Sequence, residues 1–264
     1  MNKCKLYQVD AFSNHPFAGN PAAVCPLTSW LSDATMQAIA AENNLSETAF
    51  FVETNGIYHI RWFTPTTEVD LCGHATLASA YVLFEKLGFT GEVIVFQSKS
   101  GVLKVRRDRG RFVLDFPQQV PVPCTVPEPV RQVFGSHVTA CLKHEDYLVV
   151  LDDEAAVRTA NPDVHTFKQL DLRGVMITAQ AKDYDFVSRF FAPNCGIDED
   201  PVTGSAFTQL IPYWAEVLAK HKLTAKQVSK RGGEVWCELA GDRVLIAGHA
   251  SLYLEGEIIL GSSA

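Results

Sequence analysis

The chain lacks several features that would place it in a familiar class of protein. Its 264 residues contain no apolar run near the roughly 20 residues that span a bilayer, and the first ten positions have no apolar signal core. Basic residues are fewer than acidic ones, 23 Lys and Arg against 30 Asp and Glu, which gives a net charge of −7. This balance disfavours nucleic acid and anionic membrane surfaces as partners. We therefore predict a cytoplasmic protein with no nucleic-acid partner and no membrane partner.

Cofactor and metal motifs are also missing. The seven cysteines include no Cys-x-x-Cys, which favours a reducing compartment and gives no structural zinc site. The sequence has no Walker loop, no Gly-x-Gly-x-x-Gly, no Gly-x-Ser-x-Gly and no His-Glu-x-x-His. Cys72 and His74 offer two metal ligands, but no matching second pair exists. The sequence thus predicts neither a cofactor nor a metal.

Two segments of the chain share one pattern. Residues 68–76 read Glu-Val-Asp-Leu-Cys-Gly-His-Ala-Thr, and residues 199–206 read Glu-Asp-Pro-Val-Thr-Gly-Ser-Ala. Acidic residues, a Gly, a His or Ser, and then an Ala with a long apolar run are typical of a helix start. Two facing helix N-termini present free N–H donors and positive dipole ends, which suit a small anionic ligand. The repeat predicts a cleft between two similar domains.

Length and proline content predict where the two domains divide. A chain of this size holds two domains of about 100–150 residues, and five prolines from Pro117 to Pro129 mark a linker. We predict an N-terminal domain over 1–117 and a C-terminal domain over 125–249. A last strand at about 250–261 is a candidate to return to the first domain, which the sequence alone does not decide.

Strand patterns predominate in both predicted domains. Each domain combines several strands with one long helix, the first from Gly73 to about Leu87 and the second from Gly204 to about Lys220. Both helices are apolar nearly all round, which is typical of a helix buried against a sheet. The predicted fold class is α+β, with mostly antiparallel sheets.

Glu47 is the lone carboxylate at the start of an apolar strand, in Ser-Glu-Thr-Ala-Phe at 46–50. As a solvated residue at a strand edge it would have no chemical role. As a buried residue it is a candidate general base, because burial raises the pKa of a carboxylate and improves it as a proton acceptor. The sequence leaves both interpretations open.

Residues at the two helix starts are candidates for substrate binding. His74 either bonds locally or acts as a neutral donor, its pKa lowered by the helix N-terminus. Asp200 either interacts with the helix dipole, worth about 0.3–1 kcal/mol, or orients a substrate amine or hydroxyl. Ser205 is either an ordinary N-terminal serine or a group that binds a carboxylate through its hydroxyl and N–H. Gly73 and Gly204 would let a ligand approach the backbone closely.

At these positions the sequence resembles the phenazine-biosynthesis (PhzF-like) isomerase family. The matching segments follow the family's order over nearly the whole chain: 8–12, 17–21, 46–50, 71–76, 191–193, 200–206, 246–250 and 255–256. The resemblance implies a diaminopimelate-epimerase-like fold with two pseudo-symmetric domains, each a barrel-like sheet around a central helix. It also implies a cofactor-free isomerase, often a homodimer.

The resemblance also implies roles for the candidate residues. The best-known member of the family moves a hydrogen across an allylic system in a dihydro-hydroxyanthranilate. By position, Glu47 would remove and return the proton. The residues that would bind and polarise the substrate are His74, Asp200 and Ser205, with the substrate carboxylate near the two helix starts.

Two alternatives stay open. Racemases and epimerases of this fold use two facing thiols, and Cys72 stands at the first of these positions. The second position, near Pro201, holds no thiol, and Cys195 lies upstream, so this alternative is a one-thiol racemase. The other is a non-catalytic binding or interaction protein. The segment 228–233 departs from the family's usual turn, which leaves the substrate open.

Overall fold

The computed structural model describes residues 2–261 of the chain. The chain divides into two compact units, one formed by Met1–Asp115 with Ala247–Ala264 and the other by Phe116–Ile246. Strands predominate in the described residues and helices are few, which confirms the predicted α+β class. No helix within residues 2–261 has the length and apolar character needed to cross a membrane.

The elements follow one another in a fixed order along the chain. The first part contains β1 (Asn2–Ala11), β2 (Asn20–Leu27), α1 (Asp33–Asn43), β3 (Glu47–Thr54), β4 (Ile57–Phe63), β5 (Glu68–Val69), α2 (Gly73–Glu85), β6 (Val93–Ser98), β7 (Gly101–Asp108) and β8 (Arg111–Pro117). The remainder contains β9 (Val122–Pro123), α3 (Glu128–Phe134), β10 (Val138–Lys143), β11 (Tyr147–Leu151), α4 (Glu154–Thr159), β12 (Val175–Gln180), β13 (Phe186–Ala192), β14 (Ile197–Asp200), α5 (Phe207–Leu218), β15 (Lys222–Gln227), β16 (Gly233–Ala240), β17 (Arg243–Gly248) and β18 (Ala250–Leu260). Short 3-10 helices lie at Gly135–His137, Val164–Gln169, Pro193–Cys195 and Gly204–Ala206.

The sheet of the first unit is built around β1. This strand lies between β18 and β2 and is antiparallel to both. The sheet continues with β2 parallel to β3, β3 antiparallel to β4 and β4 parallel to β6, and then through the antiparallel strands β6, β7 and β8. Helix α2 packs against β1, β2 and β3. Its residues 73–80 are all buried, so the predicted burial of this apolar helix is confirmed.

The second unit has a similar mixture of pairings. Strand β10 is antiparallel to β9 and β11, β11 is parallel to β12, and β12 is antiparallel to β13. Strand β13 is antiparallel to β14 and parallel to β15, which is antiparallel to β16. Helix α5 packs against β15 and β16. In both units each parallel pair is joined through at least one α-helix, as crossover connections require.

The second long helix begins differently from the prediction. The sequence predicts a helix from Gly204, but Gly204–Ala206 forms a 3-10 turn and the α-helix begins at Phe207. Tighter 3-10 turns are common at helix ends. Here the N–H of Ala206 donates to the carbonyl of Thr203 at 3.1 Å, the i to i+3 bond of such a turn. The backbone N–H groups at the start of this segment therefore belong to a 3-10 turn, which is tighter than a turn of α-helix.

Candidate active site

Glu47 begins β3, and its side chain is buried rather than solvated. The residue lies opposite Ala22 in the parallel pair with β2, and only 9% of its surface is exposed. The next residues along the strand, Thr48 to Val52, are also buried. This strand therefore places a carboxylate at the edge of an apolar core.

His74 lies in the first turn of α2, after the N-cap residue Cys72. Its side chain is buried, and its Nε2 lies 3.1 Å from Oε2 of Glu47. On the other side of the ring, Nδ1 lies 3.2 Å from Nδ2 of Asn20 and 3.5 Å from Sγ of Cys72. The packing of α2 against β2 and β3 thus brings together two residues that the sequence separates.

The contact between Glu47 and His74 lacks the geometry of a hydrogen bond. Oε2 and Nε2 are both buried, and neither makes a hydrogen bond to any described residue. A buried polar atom left without a partner costs about 1–3 kcal/mol, and such atoms are few in native proteins. Oε2 and Nε2 lie 3.1 Å apart and form a buried ion pair when the imidazole is protonated, so the hydrogen bonds that this contact does not supply are left for a bound molecule.

Burial and two neighbouring side chains, Cys72 and Glu47, shift the pKa of His74. Burial lowers the pKa of this imidazole, but negative charge on Cys72 and Glu47 raises it, and the net pKa lies well above its usual range. Burial and the charge on Glu47 raise the pKa of the Cys72 thiol to about 11, so this thiol is neutral near pH 7. Of the two side chains that raise the pKa of His74, Glu47 lies nearer to the ring, at 3.1 Å from Nε2 against 3.5 Å between Cys72 and Nδ1.

The sequence prediction that the pKa of His74 is lowered is wrong. A helix N-terminus carries about half a unit of positive charge. The carboxylate of Glu47, 3.1 Å from the ring, carries a full negative charge and favours the protonated imidazole. The helix start is visible in the sequence around His74, whereas Glu47 belongs to a separate segment, β3.

The same three side chains are the candidates for thiol or metal chemistry. Glu47, Cys72 and His74 place one ligand atom each within 4.8 Å of the others. Cys72 approaches Nδ1 of His74 whereas Glu47 approaches Nε2, so the two groups contact different ring nitrogens. A thiol with a raised pKa is also a poor nucleophile or base, which disfavours the one-thiol racemase.

In the second unit, Asp200 ends β14 and is buried. Its Oδ2 accepts a 2.6 Å hydrogen bond from the hydroxyl of Thr203. The fully buried Gln227 donates to the carbonyl of Asp200 at 2.7 Å and accepts from the N–H of Thr203 at 2.9 Å. These bonds fix Asp200 relative to the turn that contains Gly204 and Ser205.

Ser205 lies in the 3-10 turn, where Gly204 is buried. Its Oγ accepts a hydrogen bond from Nη2 of Arg173 at 3.1 Å. Arg173 also donates to both carboxylate oxygens of Asp146, from Nε at 3.0 Å and from Nη2 at 2.5 Å. Sequence analysis missed this pair. The sequence carries no signal for it, because only the parallel pairing of β11 with β12 brings the two charges together.

We expect the imidazole of His74 to titrate above the usual histidine value of about 6.5, because Glu47 stabilises its protonated form. In Glu47→Gln the pKa should fall below that of the wild type, since burial then acts without the opposing charge. Side-chain ¹H–¹⁵N NMR between about pH 5 and pH 10 measures both titrations. His137, paired with Asp152 in the other unit, is the internal control. An unchanged titration of His74 would contradict the proposed coupling.

Comparison with known proteins places these residues in a family. A family profile described as "Phenazine biosynthesis-like protein" (PhzC-PhzF) matches residues 9–256. Two proteins of Pseudomonas aeruginosa, both named uncharacterized isomerases, are 52% identical over 255 residues and 54% identical over 257 residues. Each alignment covers 97% of this chain and 98% of the relative.

Solved structures show the same relationship. The crystal structure of a phenazine biosynthesis protein of the PhzF family from Enterococcus faecalis is 46% identical, with a TM-score of 0.96 over 98% of this chain and 100% of that one. A hydroxyproline epimerase from Agrobacterium vitis is only 9% identical and has a TM-score of 0.64 over 97% of this chain and 92% of its own. The second likeness shows the fold alone and agrees with the predicted epimerase-like architecture. The chain therefore belongs to the phenazine biosynthesis-like (PhzC-PhzF) family, and like its relatives it is an isomerase.

Proposed function

We propose that this isomerase moves a proton between carbon atoms of a small carboxylated substrate by an allylic shift, with Glu47 as the base. The observation that carries the proposal is the buried Oε2 of Glu47, which has no hydrogen bond to any described residue and lies 3.1 Å from Nε2 of His74. A buried carboxylate beside a second titratable group is a typical arrangement of a catalytic acid–base residue.

The proposed reaction requires no change in oxidation state. Glu47 takes a proton from a carbon next to a double bond, so that the C–H electron pair enters the allylic system. The double bond moves by one position, and the proton returns from Glu47 to the far carbon. Positioned acid–base groups contribute about 10²–10⁴-fold to such steps. The substrate is converted to an isomer, which agrees with the class of the relatives.

His74 is assigned to the negative charge that develops during this shift. Its raised pKa keeps it protonated, and its Nε2 has no hydrogen bond to a described residue. A donor fixed in a buried site stabilises developing negative charge more than water does, because it needs no reorganisation. The imidazolium would therefore bind and polarise the substrate, while Glu47 transfers the proton.

The remaining candidates are assigned to substrate binding. The carboxylate of Asp200 suits an amine or hydroxyl of the substrate. Gly73 at one helix start, and Gly204 with Ser205 at the other, offer backbone N–H groups that suit a carboxylate. These assignments follow the family resemblance, and the buried positions of Gly73, Asp200 and Gly204 and the partly buried position of Ser205 support them.

We also propose that the protein acts without a cofactor, in the cytoplasm, and as a homodimer. All seven cysteines, which lie within residues 2–261, are unpaired, and this supports a reducing compartment. The homodimer follows from the family resemblance, and sedimentation analysis of the purified protein tests it.

Deuterium incorporation tests the proposed reaction. Wild-type protein incubated in heavy water with a dihydro-hydroxyanthranilate should give an isomer of the same composition that carries solvent deuterium on carbon, as measured by NMR and mass spectrometry. Anthranilate, the aromatic amino carboxylate without an sp³ C–H, is the matched control and should exchange no carbon-bound hydrogen. Turnover without deuterium in either the product or the recovered substrate would contradict a base that exchanges with solvent.

A further inference from the structure

A charged pair lies beside the second helix start and has no place in the proposed proton transfer. Asp146 directly precedes β11 and Arg173 lies two positions before β12, and the parallel register of these strands sets Tyr147 opposite Val175. The side chain of Asp146 is completely buried, whereas 31% of Arg173 is exposed. The guanidinium of Arg173 also packs over the ring of Phe190 at 5.4 Å. The guanidinium group of Arg173 is therefore held by two hydrogen bonds to Asp146 and by its contact with the ring of Phe190.

Asp146 and Arg173 together do not attract an anion electrostatically. Asp146 neutralises the charge of Arg173, and Oε1 of Glu145 lies 3.4 Å from Nη1 of the same guanidinium. The two carboxylates together outweigh the single positive charge. A negatively charged substrate would gain little from long-range attraction here, so any role of Arg173 must act through its direct hydrogen bonds.

The hydrogen bond to Ser205 determines the direction of the serine proton. A guanidinium has donors and no acceptor, so Nη2 of Arg173 donates and Oγ of Ser205 accepts at 3.1 Å. The hydroxyl hydrogen must then point away from Arg173. Serine hydroxyls near a helix start otherwise bond readily to nearby backbone groups. The backbone carbonyl of Ser205 is already bonded to the hydroxyl of Thr208 at 2.6 Å.

Helix α5 supports the same arrangement. Gln209 lies in the first turn of α5, four positions after Ser205 in the preceding 3-10 turn. Gln209 is fully buried, and its Nε2 lies 3.5 Å from Oδ2 of Asp146. Asp146 thus contacts both Arg173 and the helix that follows Ser205. This geometry limits how far Arg173 and Ser205 can move relative to each other.

We infer that Arg173, held by Asp146, is a positioning residue that makes the Ser205 hydroxyl a donor to the carboxylate of the substrate. The inference rests on the proposed function, because it takes Ser205 as a substrate-binding residue. Arg173 acts by setting the direction of the Ser205 hydroxyl hydrogen, and it adds no net positive charge to the site. The loss of Arg173 should therefore weaken binding only while the Ser205 hydroxyl is present.

A double-mutant cycle on anthranilate binding tests the inference. Ser205→Ala and Arg173→Met should each weaken binding by roughly 10–100-fold, the effect of losing a hydrogen bond to a charged group. The double variant should bind no more weakly than Ser205→Ala. Arg173→Lys should restore part of the affinity, because the ammonium also donates. Independent, additive losses would overturn the inference, since a merely structural role would produce them.

The first unit offers a matched control. Arg61 donates to both oxygens of Glu68 at 2.7 and 2.8 Å and packs over Phe63 at 5.1 Å. Arg61→Met removes the same kind of paired guanidinium without touching a proposed site residue. It should lower the temperature of thermal unfolding yet leave anthranilate affinity unchanged. A loss of affinity as large as that of Arg173→Met would overturn a specific effect through Ser205.

A second measurement separates this inference from the proposed function. If the wild type does not bind anthranilate, the proposed substrate class is contradicted. Crystal structures of the wild type and Arg173→Met then decide the positioning role alone. We expect Oγ of Ser205 to change rotamer in the variant, because its donor has been removed. An unchanged rotamer would overturn the inference whatever the substrate.

Discussion

Glu47→Gln is expected to slow turnover and solvent deuterium incorporation by about 10²–10⁴-fold, the range for loss of a positioned acid–base group. Glutamine matches the size of glutamate but has no carboxylate to accept a proton. Steady-state kinetics in heavy water measures both rates on the same sample. Glu47→Asp keeps the carboxylate but withdraws it by one methylene, so it should retain more activity than the glutamine variant.

Glu53→Gln is the matched control for this change. Glu53 belongs to the same strand β3 but is exposed, and its Oε1 accepts a hydrogen bond from the N–H of Gly56 at 2.7 Å. This variant should turn over at the wild-type rate. Unchanged thermal unfolding of Glu47→Gln would show that its loss is chemical. Wild-type turnover by Glu47→Gln would refute Glu47 as the base.

Gly19→Ala is expected to destabilise the first unit by about 2–5 kcal/mol. Gly19 has φ of +68°, and a Cβ at this position would lie 2.1 Å from the carbonyl oxygen of Ala11. That oxygen belongs to β1, next to the point where Ala11 pairs with Asn20. The backbone must move to relieve the clash. The next residue is Asn20, which contacts Nδ1 of His74, so the His74 titration should also change.

Gly56→Ala distinguishes the two causes of the destabilisation expected for Gly19→Ala, the steric clash and the positive φ. Gly56 has φ of +79°, but a Cβ there would meet nothing within 4 Å. The substitution should therefore lower the free energy of unfolding only by the cost of a left-handed backbone conformation, about 1–2 kcal/mol. Hydrogen exchange of the amides in β1 and β2 measures both variants as opening free energies. Equal losses in the two variants would show that the contact with Ala11 has no energetic effect.

The sequence predicts the α+β class because strand alternation and helix starts are local patterns. It also singles out Glu47 and His74 as individual residues. Their 3.1 Å contact was not predictable, because it depends on the parallel pairing of β2 with β3 and on the packing of α2. The direction of the His74 pKa was missed for the same reason: the nearest helix is local, whereas the deciding carboxylate is distant in sequence.

Arg173 and Asp146 illustrate a different limit. Each is a single charged residue before an apolar strand, and neither belongs to a motif with recognisable spacing. Only the parallel register of β11 with β12 makes them neighbours, and only the turn at Gly204–Ala206 brings Ser205 to the same guanidinium. Side-chain networks that join three separate segments leave no periodic trace in a sequence.

The return of β18 to β1 has a consequence for synthesis on the ribosome. One edge of β1 is completed by a strand that is translated after the whole of the second unit. At a translation rate of about 5–20 residues per second, that edge of β1 stays unpaired for on the order of ten seconds in the nascent chain. An unpaired strand edge is a template for aggregation. The second unit, which is continuous in sequence, can therefore finish folding before β18 is available to cover this edge of β1.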